Sequence, residues 1–107
     1  MSVTEKFEDV VLHTKANVYF DGKCVSHAFV LPDGTRKSVG VVLPATLTFN
    51  TAAAEIMECV GGNCRVRMKG GSTWTRYAAG ESFEVPADSS FDIEVADEPY
   101  HYICHYA

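Results

Sequence analysis

The sequence predicts a single all-β domain, and three observations support this fold class. The chain has 107 residues, of which 47% are hydrophobic and 21% are charged, a length and composition typical of one globular domain. Turn-forming groups of Gly, Pro, Asn and Asp recur about every ten residues from Asp21-Gly22 onward, as in sandwiches and barrels. The short runs between these turns are rich in Val, Thr, Phe and Tyr, which pleated strands favour.

The predicted strands follow from the positions of these runs. They cover residues 18–20, 23–31, 36–43, 46–50, 55–60, 63–68, 73–77, 82–85, 90–96 and 100–106. The first sixteen residues are charged, with interspersed apolar side chains, and we expect either one weak helical turn or an extended segment packed on the barrel. We therefore divide the chain into an N-terminal arm, residues 1–16, and a barrel domain, residues 17–107.

Two spaced motifs narrow the architecture. The first consists of Gly40, Thr46, Thr48, Glu55 and Gly62, and the second of Gly80, Pro86, Asp88 and Phe91. They resemble the paired motifs of cupins, small double-stranded β-helix (jelly-roll) barrels. Typical cupins hold a metal with two histidines and a glutamate from the first motif and a histidine from the second. Here the matching positions are Thr46, Thr48, Glu55 and Phe91, so the resemblance implies the barrel and argues against its usual metal.

Side-chain alternation leads to a prediction about assembly. Successive residues of a strand face opposite sides. If Thr46 and Thr48 face the interior, as the cupin resemblance implies, the outward set is Val39, Val41, Leu43, Leu47 and Phe49. Monomers rarely leave such an apolar patch in water. Either the N-terminal arm or a two-fold partner must cover it, and we favour a homodimer.

Several short segments, taken together in order, carry a narrower resemblance. They are 19–23, 36–41, 48–51, 55–57, Trp74, 77–83, Val85-Pro86 and 102–106. Over residues 17–107 the chain is similar to the pyrimidine/purine nucleoside phosphorylases, a family of short bacterial cupin-like proteins. His105 departs from the pattern, because an arginine is expected there.

The family resemblance implies a reaction and a set of candidate residues. The reaction is the reversible phosphorolysis of purine and pyrimidine nucleosides to the free base and ribose 1-phosphate. Phosphate at the anomeric carbon requires a cationic, hydroxyl-rich cradle, for which the candidates are Lys23, Arg36, Ser38 and Thr48. Glu55 is the catalytic candidate, as a carboxylate that binds the ribose hydroxyls and favours the developing cation. The candidate substrate contacts are Met57, Phe91 and Tyr102.

Each assignment has a structural alternative. Glu55 shares its face with apolar residues, so it could equally be a structural tie to a backbone amide or an arginine. Strand hydroxyls commonly satisfy buried backbone groups, Phe91 fits a plain core aromatic, and Arg36 fits a surface arginine. Beyond inorganic phosphate as co-substrate, we predict no cofactor and no metal.

Charge and hydropathy limit the partners. The net charge of −5 disfavours nucleic acid, because no excess of basic residues exists to displace counterions. No apolar run approaches the roughly 20 residues that cross a bilayer, so we expect no membrane partner. The chain starts without the pattern of a secretory signal, and a cytoplasmic location is the default expectation. The basic cluster of Arg65, Arg67, Lys69 and Arg76 is expected to form solvated strand faces.

The four cysteines leave one question open. Cys59 and Cys64 flank a glycine turn, so a disulfide is conceivable, although a cytoplasmic protein favours reduced, buried thiols.

Other functions compete with phosphorolysis. The main alternative is a non-catalytic small-molecule-binding cupin domain, in which Thr48 and Glu55 contact the ligand. A metal-dependent cupin with displaced ligands and a purely structural domain are further alternatives. Incubation with inosine and uridine separates them, because only the phosphorylase releases base in a phosphate-dependent way.

Overall fold

Two antiparallel sheets face each other in the computed structural model, which describes residues 3–106. The strands are β1 (Val11–Leu12), β2 (Asn17–Tyr19), β3 (Cys24–Val30), β4 (Arg36–Val42), β5 (Ala45–Asn50), β6 (Glu55–Gly61), β7 (Asn63–Met68), β8 (Thr75–Ala78), β9 (Ser82–Val85), β10 (Ser90–Val95) and β11 (Tyr100–Tyr106). The large sheet has the order β1-β3-β4-β11-β6-β9, with β2 also paired to β3, and the small sheet has the order β5-β10-β7-β8. This architecture confirms the all-β prediction.

Strands β2 to β11 correspond one by one to the ten predicted runs. Within residues 3–106 the only helical segment is a single 3-10 turn, Phe20–Gly22. That part of the chain therefore contains no helix long and apolar enough to span a membrane.

The arm follows the extended alternative over the residues that the structure describes. Val11 and Leu12 pair with Val30 and Phe29 on β3, and the ring of Phe7 packs on that of Phe29 at 4.9 Å. The boundary at residue 17 stays a prediction, because β1 joins part of the arm to the large sheet.

The core fills the space between the two sheets. Alternate residues of the strands point inward, and Cys24, Ile93 and Tyr100 are fully buried. Phe91 of β10 lies between the rings of Phe49 and Phe83, with centroids 5.6 Å away from each. Burying one such aromatic or aliphatic side chain stabilises the fold by about 1.5–3 kcal/mol, so these packed rings hold the two sheets together.

The predicted facing of β5 is wrong. Leu47 is buried and Phe49 packs on Phe91, whereas Thr46 and Thr48 lie on the exposed outer face. The alternation does not continue from β4 into β5, because Leu43 and Pro44 separate them and the two strands belong to different sheets. Proline cannot donate to a ladder, and a chain that crosses between sheets can resume with either face inward.

Part of the predicted outer apolar face does exist. Val39 and Val41 of β4 line a groove of about 640 Å³ between the arm and the outer side of the large sheet. The other walls of this groove include Phe7 and Leu12 from the arm. The arm covers the face incompletely, since Val11 and Leu12 themselves stay 64% and 53% exposed.

All four cysteines are free and buried, so the conceivable disulfide between Cys59 and Cys64 is not formed. Cys59 instead directs its thiol to the carbonyl oxygens of Gly61 and Gly62, at 3.5 and 3.6 Å.

A close approach at Gly40 yields a stability prediction. A methyl group there would lie 2.5 Å from Oη and 2.6 Å from Cζ of Tyr102, a buried ring that cannot move freely. Gly40→Ala is expected to lower the free energy of unfolding by about 1–3 kcal/mol through overpacking, measured by urea denaturation. Gly61→Ala is the matched control, because its methyl group meets only the exposed His101 side chain, at 3.0 Å. Equal urea midpoints for the two variants would contradict this account.

Candidate active site

A small cavity of about 160 Å³ lies between the two sheets. Its walls are formed by Tyr19, Ser26, Ser38, Val42, Phe49, Asn50, Glu55, Met57, Phe91, Ile93, Tyr102, Cys104 and Tyr106. Three of these residues are exposed, Tyr19 (47%), Tyr106 (45%) and Asn50, and they mark where the cavity opens to solvent. The remaining walls are apolar apart from Ser26 of β3 and a group of polar side chains contributed by β4, β6 and β11.

The register of three adjacent strands brings this polar group together. β11 pairs with β4 on one side and β6 on the other, and Tyr106 is opposite Glu55. The register that pairs His105 with Lys37 places Tyr106 beside Arg36. Arg36, Tyr106 and Glu55 therefore form one row across the sheet, with the outer two Cα atoms about 10 Å apart.

The next row towards the core consists of Ser38, Cys104 and Met57. The Ser38 hydroxyl is hydrogen-bonded to the Tyr106 hydroxyl at 3.0 Å, which joins this row to the first. Behind it, Tyr102 lies over Gly40 and its hydroxyl contacts the Cys24 thiol at 3.6 Å. Only glycine at position 40 leaves room for that ring.

Glu55 is half-buried in this setting, and it forms no ion pair within residues 3–106. Burial raises the pKa of its carboxyl group, and the adjacent Cys104 thiol partly offsets that rise. Burial and the nearby Glu55 charge raise the pKa of Cys104 to about 12, so the thiol stays neutral at physiological pH. Glu55 is thus a carboxylate that the fold does not neutralise with a cation, which disfavours the arginine-tie alternative.

Five predicted site residues line the cavity. They are Ser38, Glu55, Met57, Phe91 and Tyr102. Arg36 does not contribute to the wall, but it is exposed on the same face of β4 as Ser38, beside the mouth. Phe91 also belongs to the aromatic core, as its structural alternative predicted.

The structure does not bring Thr48 to the cavity. Its hydroxyl donates to Asp92 at 2.6 Å on the outer face of the small sheet, for the reason given for β5. Arg67 holds the other oxygen of Asp92 at 2.8 Å, and Arg65 pairs in the same way with Glu94. The ring of Trp74 covers both guanidinium groups. Its centroid is 5.2 Å from Cζ of Arg65 and 4.6 Å from Cζ of Arg67. For Arg65 and Arg67, these contacts confirm the outer strand face that the sequence predicted for the basic cluster, and Trp74 lies on the same face.

Lys23 also lies away from the expected position. Lys23 was expected to lie beside Arg36 in one phosphate cradle. Arg36 follows the turn after the last residue of β3, whereas Lys23 precedes the first residue of that strand. Because β3 has seven residues, the two positions are separated by about 20 Å along the strand. Lys23 is exposed and is not part of the cavity wall.

Sequence reasoning missed the cavity residues Ser26, Asn50, Cys104 and Tyr106. A signal for two of them existed, since Cys104 and Tyr106 share the alternation of Tyr102 along β11. Ser26 belongs to the same wall because of the spatial order of the strands, which local periodicity does not reveal.

The donor set of the cavity does not fit a cupin-type metal centre. Its wall contains no histidine, and its only carboxylate and thiol are Glu55 and Cys104. Among the described residues no group of three or more His, Cys, Asp or Glu side chains is arranged to hold a metal ion. Of the four positions that match the cupin ligands, Thr46 and Thr48 face outward, and only Glu55 and Phe91 reach the interior.

Comparison with known proteins decides the family. Residues 14–106 match the family model described as pyrimidine/purine nucleoside phosphorylase. The chain belongs to this family. The pyrimidine/purine nucleoside phosphorylase of Aromatoleum aromaticum is 76% identical over 106 residues, covering 99% of both chains.

Solved structures confirm the cupin-like barrel. A protein of unknown function from Acinetobacter sp. ADP1 superposes with a TM-score of 0.92 at 43% identity, covering 95% of this chain and 98% of that one. Bacillus subtilis oxalate decarboxylase, at 16% identity, gives a TM-score of 0.63 over 78% of this chain and 26% of its own. This second likeness bears on the fold alone.

His105, the departure from the phosphorylase family pattern, lies outside the cavity. Its Nδ1 is 2.7 Å from Nζ of Lys37 and its Nε2 is 2.9 Å from Oε1 of Glu58, on the outer face of the large sheet. Because lysine can only donate, Nδ1 accepts and Nε2–H donates to Glu58. The departure therefore leaves the cavity wall unchanged.

The raised pKa of Glu55 predicts a pH-dependent stability change. A carboxyl group whose pKa is higher in the folded state destabilises the fold once it ionises, and this cost vanishes below about pH 4. Glu55→Gln is therefore expected to raise the urea midpoint at pH 7 and to leave it unchanged near pH 3.5. Glu58→Gln, on the opposite face of β6, loses a hydrogen bond to His105 and is expected to bring no gain. A pH-independent difference between Glu55→Gln and the wild type would refute the prediction.

Proposed function

We propose that the chain is a broad-specificity nucleoside phosphorylase that converts a purine or pyrimidine nucleoside and phosphate reversibly to the base and ribose 1-phosphate. Membership of the family, at 76% identity to a relative of that name, supports the reaction. The geometric observation that supports it best is the single row Arg36, Tyr106 and Glu55, which aligns a cation and a carboxylate at the mouth of a polar-ended cavity.

The volume of the cavity limits which part of a nucleoside it encloses. At about 160 Å³ it is smaller than typical ligand pockets of roughly 300–1,000 Å³. The hydroxyl-rich sugar therefore enters, where Glu55 binds its hydroxyls, and the base remains at the mouth near Tyr19 and Asn50. A base that is not enclosed is contacted by few side chains, which explains tolerance of both purines and pyrimidines.

The charges of Glu55 and Arg36 favour a phosphate site on the Arg36 side of the row. Glu55 is the only cavity side chain with a formal charge at neutral pH, and an ionised carboxylate repels a phosphate placed next to it. Arginine binds phosphate through two parallel hydrogen bonds, and Arg36 has no ion-pair partner within residues 3–106. The anomeric carbon then lies between two anions, phosphate and Glu55, which stabilise the positive charge that develops on the ribose.

The proposed reaction uses no metal and no cofactor other than phosphate as co-substrate. Attack of phosphate and departure of the base require positioning and charge stabilisation, for which Arg36, Glu55 and the hydroxyl groups suffice. The histidine-free wall supports this proposal.

A substrate panel tests the function directly. Purified protein incubated with inosine and uridine is expected to release base at a rate that rises with phosphate concentration and is unaffected by a chelator. Chromatographic measurement of free base and ribose 1-phosphate checks both products. Ligand binding without base release would support the non-catalytic cupin instead, and loss of activity with chelator would support the metal-dependent alternative.

Two cationic variants locate the phosphate. Arg36→Ala is expected to raise the KM for phosphate by at least tenfold, because a hydrogen-bonded charge contact of about 1.5–3 kcal/mol is lost. Lys23→Ala is the matched control and is expected to change this KM less than twofold, since Lys23 lies at the far end of β3. Steady-state kinetics with varied phosphate measure both values. The reverse result would return Lys23 to the cradle and remove Arg36.

We also propose that the protein is a cytoplasmic homodimer. The incompletely covered groove on the outer side of the large sheet, with Val39 and Val41 in its wall, supports a two-fold partner there. Four free, buried thiols suit a reducing compartment. Light scattering at micromolar concentration measures the mass of the protein in solution, and the mass of a monomer would exclude the dimer. Cell fractionation tests the cytoplasmic location.

A further inference from the structure

We propose that Tyr106 is a phosphate-contacting residue of the active site, with its hydroxyl oriented by Ser38. The inference rests on the proposed phosphorolysis and adds a residue that neither the sequence nor the family assignment singled out. Three features of the structure lead to it: the place of Tyr106 in the row, its exposure at the mouth, and its hydrogen bond.

The position of Tyr106 is the first feature. In the row across β4, β11 and β6 it lies directly between Arg36 and Glu55, one strand spacing of about 4.8 Å from each. The proposed phosphate and the ribose anomeric carbon occupy the region between those same two side chains. Tyr106 is the row's only other member, and at 45% exposure it remains accessible to a ligand entering the mouth.

The hydrogen bond to Ser38 is the third feature, after the position in the row and the exposure at the mouth. The two hydroxyl oxygens are 3.0 Å apart, and Ser38 is 5% exposed, so its position is fixed by the sheet. When Ser38 donates, it fills an acceptor site on the phenol oxygen, so the phenol can donate its proton to a ligand, with the weakly accepting Cys104 thiol as a competing partner. A buried hydroxyl that fixes the direction of an exposed one is an arrangement that preorganises a donor.

The protonation state agrees with this role. Burial is the main cause that raises the pKa of Tyr106; the Ser38 hydroxyl partly offsets this rise, and the neighbouring Cys104 thiol and Glu55 carboxylate add to it. The phenol therefore stays protonated at neutral pH and can donate to a phosphate oxygen. Tyr102, two rows deeper on the same face of β11, cannot take this role, because it is 7% exposed and its hydroxyl contacts the Cys24 thiol.

The experiment compares Tyr106→Phe with Tyr77→Phe. Tyr106→Phe keeps the ring and removes the proton donor, so we expect the KM for inorganic phosphate to rise about tenfold while the KM for inosine changes less than twofold. Tyr77 packs its ring on Phe83 at 4.9 Å outside the cavity wall, and its variant is expected to keep both constants. Ser38→Ala, which frees the Tyr106 hydroxyl, is expected to raise the phosphate KM by a smaller factor.

The outcomes separate this inference from the proposed function. An unchanged phosphate KM in Tyr106→Phe, an equal rise in Tyr77→Phe, or a rise confined to the inosine KM would each overturn the role of Tyr106 while leaving phosphorolysis intact. If the wild type releases no base, phosphorolysis fails, and calorimetric titration with inorganic phosphate alone still tests Tyr106. Weaker phosphate binding by Tyr106→Phe than by Tyr77→Phe supports the contact, and equal binding overturns it.

Discussion

The double pairing of β11 is the constraint on which the site depends. β11 is hydrogen-bonded to β4 on one edge and β6 on the other, so its register fixes three strands at once. Because side chains alternate with a period of two, a slip of one residue would turn Tyr102, Cys104 and Tyr106 to the outer face. The buried ring of Tyr102 over Gly40 and the stacked ring of Tyr100 oppose such a slip, since a shift of one residue would turn both rings out of the core. Core packing therefore determines where the polar groups of the mouth lie.

The two ends of the barrel differ in the polarity of their side chains, because they differ in access to solvent. Deep rows contain Tyr100, Cys24 and Cys59, which are fully or almost fully buried and uncharged. The rows near the mouth contain Arg36, Glu55 and Ser38, where solvent reduces the cost of keeping a charge. A half-buried carboxylate without a protein cation lowers the stability of the fold, as functional sites commonly do. The outer face of the small sheet shows the contrast, because its acids are all paired with arginines.

The outer faces of the two sheets also differ in polarity. The small sheet presents a ladder of Thr48, Asp92 and Arg67 capped by Trp74, which is satisfied within the chain. The large sheet presents an apolar groove that the arm covers in part. The departure from the family pattern at His105 belongs to this outer side and joins Lys37 to Glu58 there. This departure therefore lies on the opposite side of the sheet from the cavity.

The sequence by itself determined the all-β class and the ten main strands, because turn residues and alternation are local properties of the chain, and the similarity of several short segments identified the family. It also placed Glu55 and Ser38 correctly, since each lies within one uninterrupted strand whose alternation can be counted. Only the tertiary structure decided the facing of Thr48 and the distance of Lys23 from Arg36. The first depends on how the chain crosses between sheets at Pro44, and the second on which ends of the strands lie together. Neither is encoded in local periodicity, because both arise from the order in which distant strands pair.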